Sequence, residues 1–342
     1  MKENEHYKTI DLPFYRDKIA PILPEKVLDF HAHVWRSADW KRMPWQTDAK
    51  GAKYMVLERE YGFERLIADG KKIFPDRPYQ AVCFGFPTPY ADLDKTNRYS
   101  IQAKNHAGMF PLAITGRGIH PVETLRQMIL ENGFFGYKVF LDWQGDDYGK
   151  VSVPDMIGKA EMELADELRL IVLLHVPGGR RLADRKTQMD VVALAKRLPN
   201  AKIVLAHCGR CYVPDEMASA IGAIRKQENI CLDTSMVMEP EVLKIVFDNV
   251  DSKRVLFATD FPVAAMRGRR VYVMDHWVDV VLDGYPPSAC RVSSDGIRAT
   301  FMAYEIIRAV KRGAEMAGVT RPNIKKIFYR NGMNIIKNVK RK

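Results

Sequence analysis

Cysteine is scarce and unpaired in this chain: Cys83, Cys208, Cys211, Cys231 and Cys290 are odd in number and scattered over 342 positions. A disulfide framework is therefore not expected, and a reducing, cytoplasmic location is. No stretch approaches the roughly 18 apolar residues of a membrane span, and the opening MKENEHYKTI has no apolar signal core, so no membrane partner is expected. Glycine-rich phosphate loops of the forms G-x-x-x-x-G-K-[ST] and G-x-G-x-x-G are missing, as is a G-x-S-x-G nucleophile elbow. The Cys208-x-x-Cys211 pair lacks a second pair or a nearby histidine spacing, so it reads as a buried residue and a loop thiol. Low-complexity tracts, linkers and short repeats are also lacking.

What is present is a core-forming composition, 47% hydrophobic and 28% charged, in a chain long enough to fold without staples. Lys plus Arg number 53 against 42 Asp plus Glu, a net charge of +11. These cations are spread along the chain with no arginine-rich arm or zinc-finger spacing, so they read as a solvated surface and no nucleic-acid partner is expected.

Eight short β-branched or apolar runs recur, each followed by a helical pattern: residues 26–35, 79–87, 109–116, 133–143, 168–177, 201–209, 229–236 and 254–262. After the second run their spacing matches the βα unit of a TIM barrel, so the expected fold is α/β, a (β/α)8 barrel over about 26–265 within a single domain, 1–342. Helices are expected in VETLRQMILENG, PDMIGKAEMELADELR and TQMDVVALAKRLPN. A long β1–α1 insertion carries Trp35, Trp40 and Trp45 and a helical pattern over Tyr54–Lys72; such loops form substrate walls. A helical extension over about 266–342 holds two further patterns, the second opened by Pro322 and closed by Gly332.

Only eight histidines occur, and His31, His33, His175 and His207 stand at predicted strand ends, with Asp260 in the same place on strand eight. In a parallel barrel those ends share one mouth. His31 and His33, two apart on one strand, project to the same side and form a pincer for a metal ion; His175 and Asp260 would complete a set suited to zinc or another divalent metal. Each piece alone has an ordinary explanation, a chance H-x-H, a core histidine, a turn aspartate; their convergence does not.

With DFHAHVW, LLHVP, LAHCG and ATDFP the sequence resembles the amidohydrolase superfamily, in its amidohydrolase-related branch that includes aminocarboxymuconate-semialdehyde decarboxylase-like enzymes. The resemblance runs from about Val27 to Pro262 and returns in NIKKIFYRNGMNII, similar to that branch's closing helix. It implies His31, His33, His175 and Asp260 as ligands of one divalent ion, usually zinc, with His207 beside the bound water as acid or base and Asp260 also taking its proton. Members are often dimers. Lys138 fits the strand-four position where binuclear relatives carry a carbamylated lysine; otherwise it pairs with a carboxylate such as Asp142 or contacts substrate.

Seven arginines follow predicted strand ends: Arg117, Arg180, Arg181, Arg210, Arg267, Arg269 and Arg270. Such a rim suits carboxylate binding, so a small anionic substrate is expected, with Arg117, Arg180, Arg181 and Arg210 as its contacts. Tyr61, Tyr79 and Tyr90 wall an aromatic ligand or pack the insertion. The expected activity is metal-dependent hydrolysis of an ester, lactone or amide. Non-oxidative decarboxylation of an unsaturated or aromatic acid is the alternative, and a non-catalytic basic binding module the alternative of another class.

Overall fold

The computed structural model describes residues 3–41, 59–86, 90–140, 149–274, 276–282, 290–291 and 298–340, without the side chains of 290–291. Trp45, the first residues of the pattern at Tyr54 and Asp142 lie outside the described residues. The runs at 26–35 and onward form eight strands: β1 (Val27–His33), β2 (Tyr79–Phe84), β3 (Met109–Pro111 and Ala113–Ile114), β4 (Gly136–Val139), β5 (Ile171–Leu174), β6 (Lys202–Leu205), β7 (Ile230–Asp233) and β8 (Val255–Leu256).

Neighbours along this series pair in parallel. β3 is interrupted at Leu112, whose N–H still donates to the Cys83 carbonyl, so both halves belong to one strand. The ring closes between β8 and β1 through a parallel bridge at Ala32 and Phe261. There the Phe30 N–H donates to Phe257 O at 2.9 Å, and the Asp260 N–H to His31 O at 2.8 Å. The fold is thus a (β/α)8 barrel, and its strands are apolar and buried because helices cover them from outside.

After β1 to β7 come α1 (Phe63–Ile73), α2 (Leu93–Ser100), α3 (Val122–Leu130), α4 (Lys159–Glu167), α5 (Arg185–Arg197), α6 (Pro214–Ile224) and α7 (Pro240–Asn249). Asp92 and Asp184 start α2 and α5 by accepting backbone N–H groups of Lys95 and Lys186. The segment predicted as one helix around Pro154 is split into Val153–Met156 and α4. None of the described helices is long and apolar enough to cross a membrane.

The extension is helical only from α8 (Met302–Met316), with α9 (Arg321–Ile327) and α10 (Arg330–Lys337) after it. Before α8 stands an antiparallel hairpin that the sequence reading passed over, β9 (Gly268–Val273) and β10 (His276–Val281). Gly332 does not close a helix; it lies inside α10. A Cβ there would come within 2.7 Å of Leu28 Cδ2 and 2.9 Å of Phe30 Cδ2, so glycine lets α10 press on β1.

Candidate active site

His31 and His33 project from β1 into the mouth with ring centroids 5.4 Å apart. Both Nε2 atoms face one oxygen, Asp260 Oδ1, at 3.3 and 3.1 Å. Asp260 reaches them from a left-handed backbone conformation, φ 71°, held by its N–H bond to His31 O. The end of β6 turns more sharply: His207, Cys208, Gly209 and Arg210 all have positive φ, 54°, 49°, 70° and 63°. Such a left-handed turn costs about 1–2 kcal/mol per non-glycine residue. The His207 N–H bond to Asp233 Oδ1, 2.8 Å, and the Gly209 N–H bond to Ala206 O, 2.9 Å, hold it.

This turn brings the His207 ring to 4.9 Å from that of His31. One ligand-type atom each of His31, His207 and Asp260 lies within 4.8 Å of the other two. His175 stands one ring further out, 5.3 Å from His207 and stacked on Phe140 at 4.4 Å. Its Nδ1 is buried and has no hydrogen-bond partner among the described residues. The structure therefore brings together His31, His33, His207 and Asp260 most closely, with His175 at their edge.

Burial pushes the His33 and His175 imidazoles down, the latter helped by the Arg210 and Lys138 charges, and pushes His207 down to about 3. Burial alone would raise the Asp260 carboxyl, but its His33 hydrogen bond and the His207 and His31 rings hold it well below the usual carboxylate range. The mouth thus offers neutral imidazoles beside an ionised carboxylate. The His33 ring stands between two acceptors, the Gly85 carbonyl 3.3 Å from Nδ1 and Asp260 Oδ1 3.1 Å from Nε2, so turning its one proton to Gly85 would free the Nε2 lone pair for an ion. Ring nitrogens and a carboxylate oxygen converging at this spacing form an N and O donor set that suits zinc or manganese.

Sequence reasoning missed Asp233 and Ser235 at the end of β7. Asp233 is fully buried and accepts from His31 Nδ1 at 2.9 Å, while Ser235 Oγ lies 2.8 Å from His207 Nδ1. It also missed Asp29, a buried carboxylate beneath the site that ties β1 to β8. Asp29 accepts the His31 and Thr259 N–H groups at 3.0 and 2.9 Å, the Tyr79 hydroxyl at 2.8 Å and the Thr259 hydroxyl. Burial raises it to about 6 despite these donors. Tyr79 is a strut of the barrel, then, as Tyr61 is of the insertion through its bond to Asp69.

Lys138 projects from β4 into the barrel, fully buried, its Nζ 5.2 Å from the Phe84 ring centroid and 5.4 Å from that of Phe140. The arginines do not form one rim. Arg267 binds Asp11 of the N-terminal helical segment at 2.7 Å, and Arg270 forks onto Asp279 at 2.8 and 2.9 Å between the Tyr212 and Trp277 rings. Arg269 leans on Glu305, and Arg181 pairs with Glu216 at 2.8 Å. Arg117 and Arg180 are exposed. Arg210, half-buried and anchored by a 3.0 Å bond to Val176 O, is the arginine whose charge reaches His175.

An amidohydrolase family model matches residues 28–273. No curated protein sequence matches the chain. Solved structures share the fold. The 4-oxalomesaconate hydratase of Rhodopseudomonas palustris is 18% identical, with TM-score 0.55, covering 91% of this chain and 96% of its own. A zinc-bound amidohydrolase of Burkholderia multivorans is 14% identical, with TM-score 0.57, covering 91% and 99%. The dihydroxybenzoic acid decarboxylase of Polaromonas sp. JS666, with bound manganese and 2-nitroresorcinol, is 15% identical, with TM-score 0.53, covering 92% and 97%.

Proposed function

Because the chain belongs to the amidohydrolase family and is an enzyme of it, we propose that it is a metal-dependent hydrolase of an ester, lactone or amide bond in a small, carboxylate-bearing molecule. The observation that carries this reading is the approach of His31, His207 and Asp260 within 4.8 Å, with His33 on the same carboxylate oxygen. His31, His33, His175 and Asp260 would hold one divalent ion, zinc being the expected metal. When bound, that ion supplies Lewis acidity, polarising a carbonyl and lowering the pKa of water to about 7.

The chain's own groups do the rest. His207, neutral because it is buried, accepts the proton of the attacking water. The new bond joins water oxygen to the acyl carbon, the bond to the alcohol or amine breaks, and His207 returns the proton to that leaving group. Asp260, ionised, stands beside this transfer as a second acceptor. Arg210 holds the substrate carboxylate on the His175 side.

Decarboxylation on the same groups is the second reading, favoured by the aromatic lining: Phe84 lies 4.7 Å from His33, Phe140 4.4 Å from His175 and Tyr212 6.2 Å from His207. Such walls suit an unsaturated or aromatic acid. The test is turnover of a panel of acidic lactones, amides and unsaturated acids in 18O-labelled water. Label in the product carboxylate without gas supports hydrolysis; carbon dioxide release with no hydrolytic label overturns it in favour of decarboxylation. No bound metal, with a strongly salt-dependent association with nucleic acid, would leave the basic binding module.

A further inference from the structure

We propose that Asp233 is a positioning residue that sets the ring tautomers of both His31 and His207, and so decides which nitrogen of each faces the mouth. The proposal rests on the reading of His31 as a metal ligand and His207 as a base.

The argument is one of donors and acceptors. Asp233 is fully buried at the end of β7, and burial alone would raise it. Its Oδ1 meets two backbone N–H groups and a hydroxyl, all of which donate to it, and this marks it as a carboxylate that accepts. Its Oδ2 lies 2.9 Å from His31 Nδ1, so that nitrogen carries a proton and Nε2, beside Asp260, is the atom left for an ion. Its Oδ1 accepts three donors: the His207 N–H at 2.8 Å, the Ser235 N–H at 3.1 Å and the Ser235 hydroxyl.

With that hydroxyl proton directed at Asp233, Ser235 Oγ accepts from His207 Nδ1 at 2.8 Å, and the Ser235 carbonyl lies 3.2 Å from the same nitrogen. His207 therefore also holds its proton on Nδ1, leaving Nε2 as the basic atom. One carboxylate thus fixes His31 directly and His207 through a serine. A carboxylate behind a ligating histidine fixes its ring and raises its basicity, and losing such a partner costs about 10- to 100-fold in metal affinity.

The geometry makes D233N informative. Three donors crowd Oδ1, so the asparagine oxygen stays there and the amide nitrogen takes the Oδ2 position. It then donates to His31 Nδ1 and forces the ring proton onto Nε2, the atom meant for the metal. S235A keeps the 2.9 Å Asp233–His31 contact and removes the hydroxyl that lies 2.8 Å from His207 Nδ1, together with its bond to Asp233 and its 3.5 Å approach to His31 Nδ1.

Zinc affinity would be measured by titrating metal-free wild type, D233N, S235A, H31A and the H31A/D233N double variant. The 15N spectrum of the metal-free wild type, assigned by difference from H31A and H207A, would report the tautomers. Both rings are expected with the proton on Nδ1. Zinc affinity should fall about 10- to 100-fold in D233N, stay within about threefold of wild type in S235A, and fall no further in the double variant than in H31A alone. Wild-type affinity in D233N while H31A loses zinc would overturn the proposal and leave the metal reading standing. Unchanged affinity in H31A would overturn the metal reading itself. If D233N fails to fold, a wild-type spectrum with the His31 proton on Nε2 overturns the proposal without any variant.

Discussion

The mouth and the rim of this barrel were equally rich in functional-looking residues in the sequence, yet only the mouth converges. His31, His33, His207 and Asp260 come from three strand ends and meet within one ion's reach. Of the seven arginines that follow the strand ends, Arg181, Arg267, Arg269 and Arg270 are held by Glu216, Asp11, Glu305 and Asp279. The ends of the barrel strands turn their following residues towards one mouth, whereas each of these arginines is placed by the carboxylate it meets. Place at a barrel strand's end is therefore the better guide to chemistry, and positive charge beyond it the better guide to packing.

The sharpest way to break this comparison is at the mouth. Replacing His31 and His33 together by alanine should abolish zinc binding and activity while the barrel still folds, measured by elemental analysis and circular dichroism. Retained metal would show that the ligands are elsewhere. At the rim, Arg270→Ala strands a buried Asp279 and should destabilise the protein by about 3–5 kcal/mol in urea unfolding, while Arg180→Ala should stay within about 0.5 kcal/mol. Equal costs would erase the distinction between held and free arginines.

Arg210 belongs to both regions. Arg210→Ala should raise KM for a carboxylate substrate about 10- to 100-fold with a smaller change in kcat, and Arg117→Ala should leave both unchanged. A further prediction concerns pH. His207 is pushed down to about 3 in the fold against about 6.5 when unfolded, so between these values the unfolded chain binds the extra proton and stability is lost as pH falls. In metal-free protein His207→Gln should remove a slope of about 1.4 kcal/mol per pH unit across that window, read from urea midpoints at successive pH values. An unaltered slope would mean that the ring is accessible to protons.

The legible part of the fold was the part governed by one short periodicity. β1 to β8 stand where the apolar runs stood, and α3 and α5 fill the predicted amphipathic segments. The hairpin was not legible, because RRVYV and WVDVV lack a strict two-residue alternation of polar and apolar residues and the turn at Met274 carries no Asn-Gly signal. Its stabilising pair, Arg270 and Asp279, looks in sequence like two unrelated surface charges. In the site, the H-x-H pair and the strand-end histidines could be read from residue type alone. Asp233 could not, since LDTSM has no pattern of its own and its meaning depends on His31, 202 positions away. Asp29 was hidden likewise: its partner Thr259 lies 230 positions away.

The seam between β1 and β8 also bears on how the protein comes into being. At the opposite end of the barrel from the mouth, the Leu28 N–H donates to Phe328 O, the Phe257 N–H to Ile327 O, and Asn331 caps the carbonyls of Ser252 and Val255. Every residue of the site has been synthesised once Asp260 leaves the ribosome, but the clasp that stitches the first strand to the last is made of α9 and α10, which emerge later. The candidate site residues and the direct β1–β8 bonds are thus all synthesised before the helices that add this second set of bonds across the seam.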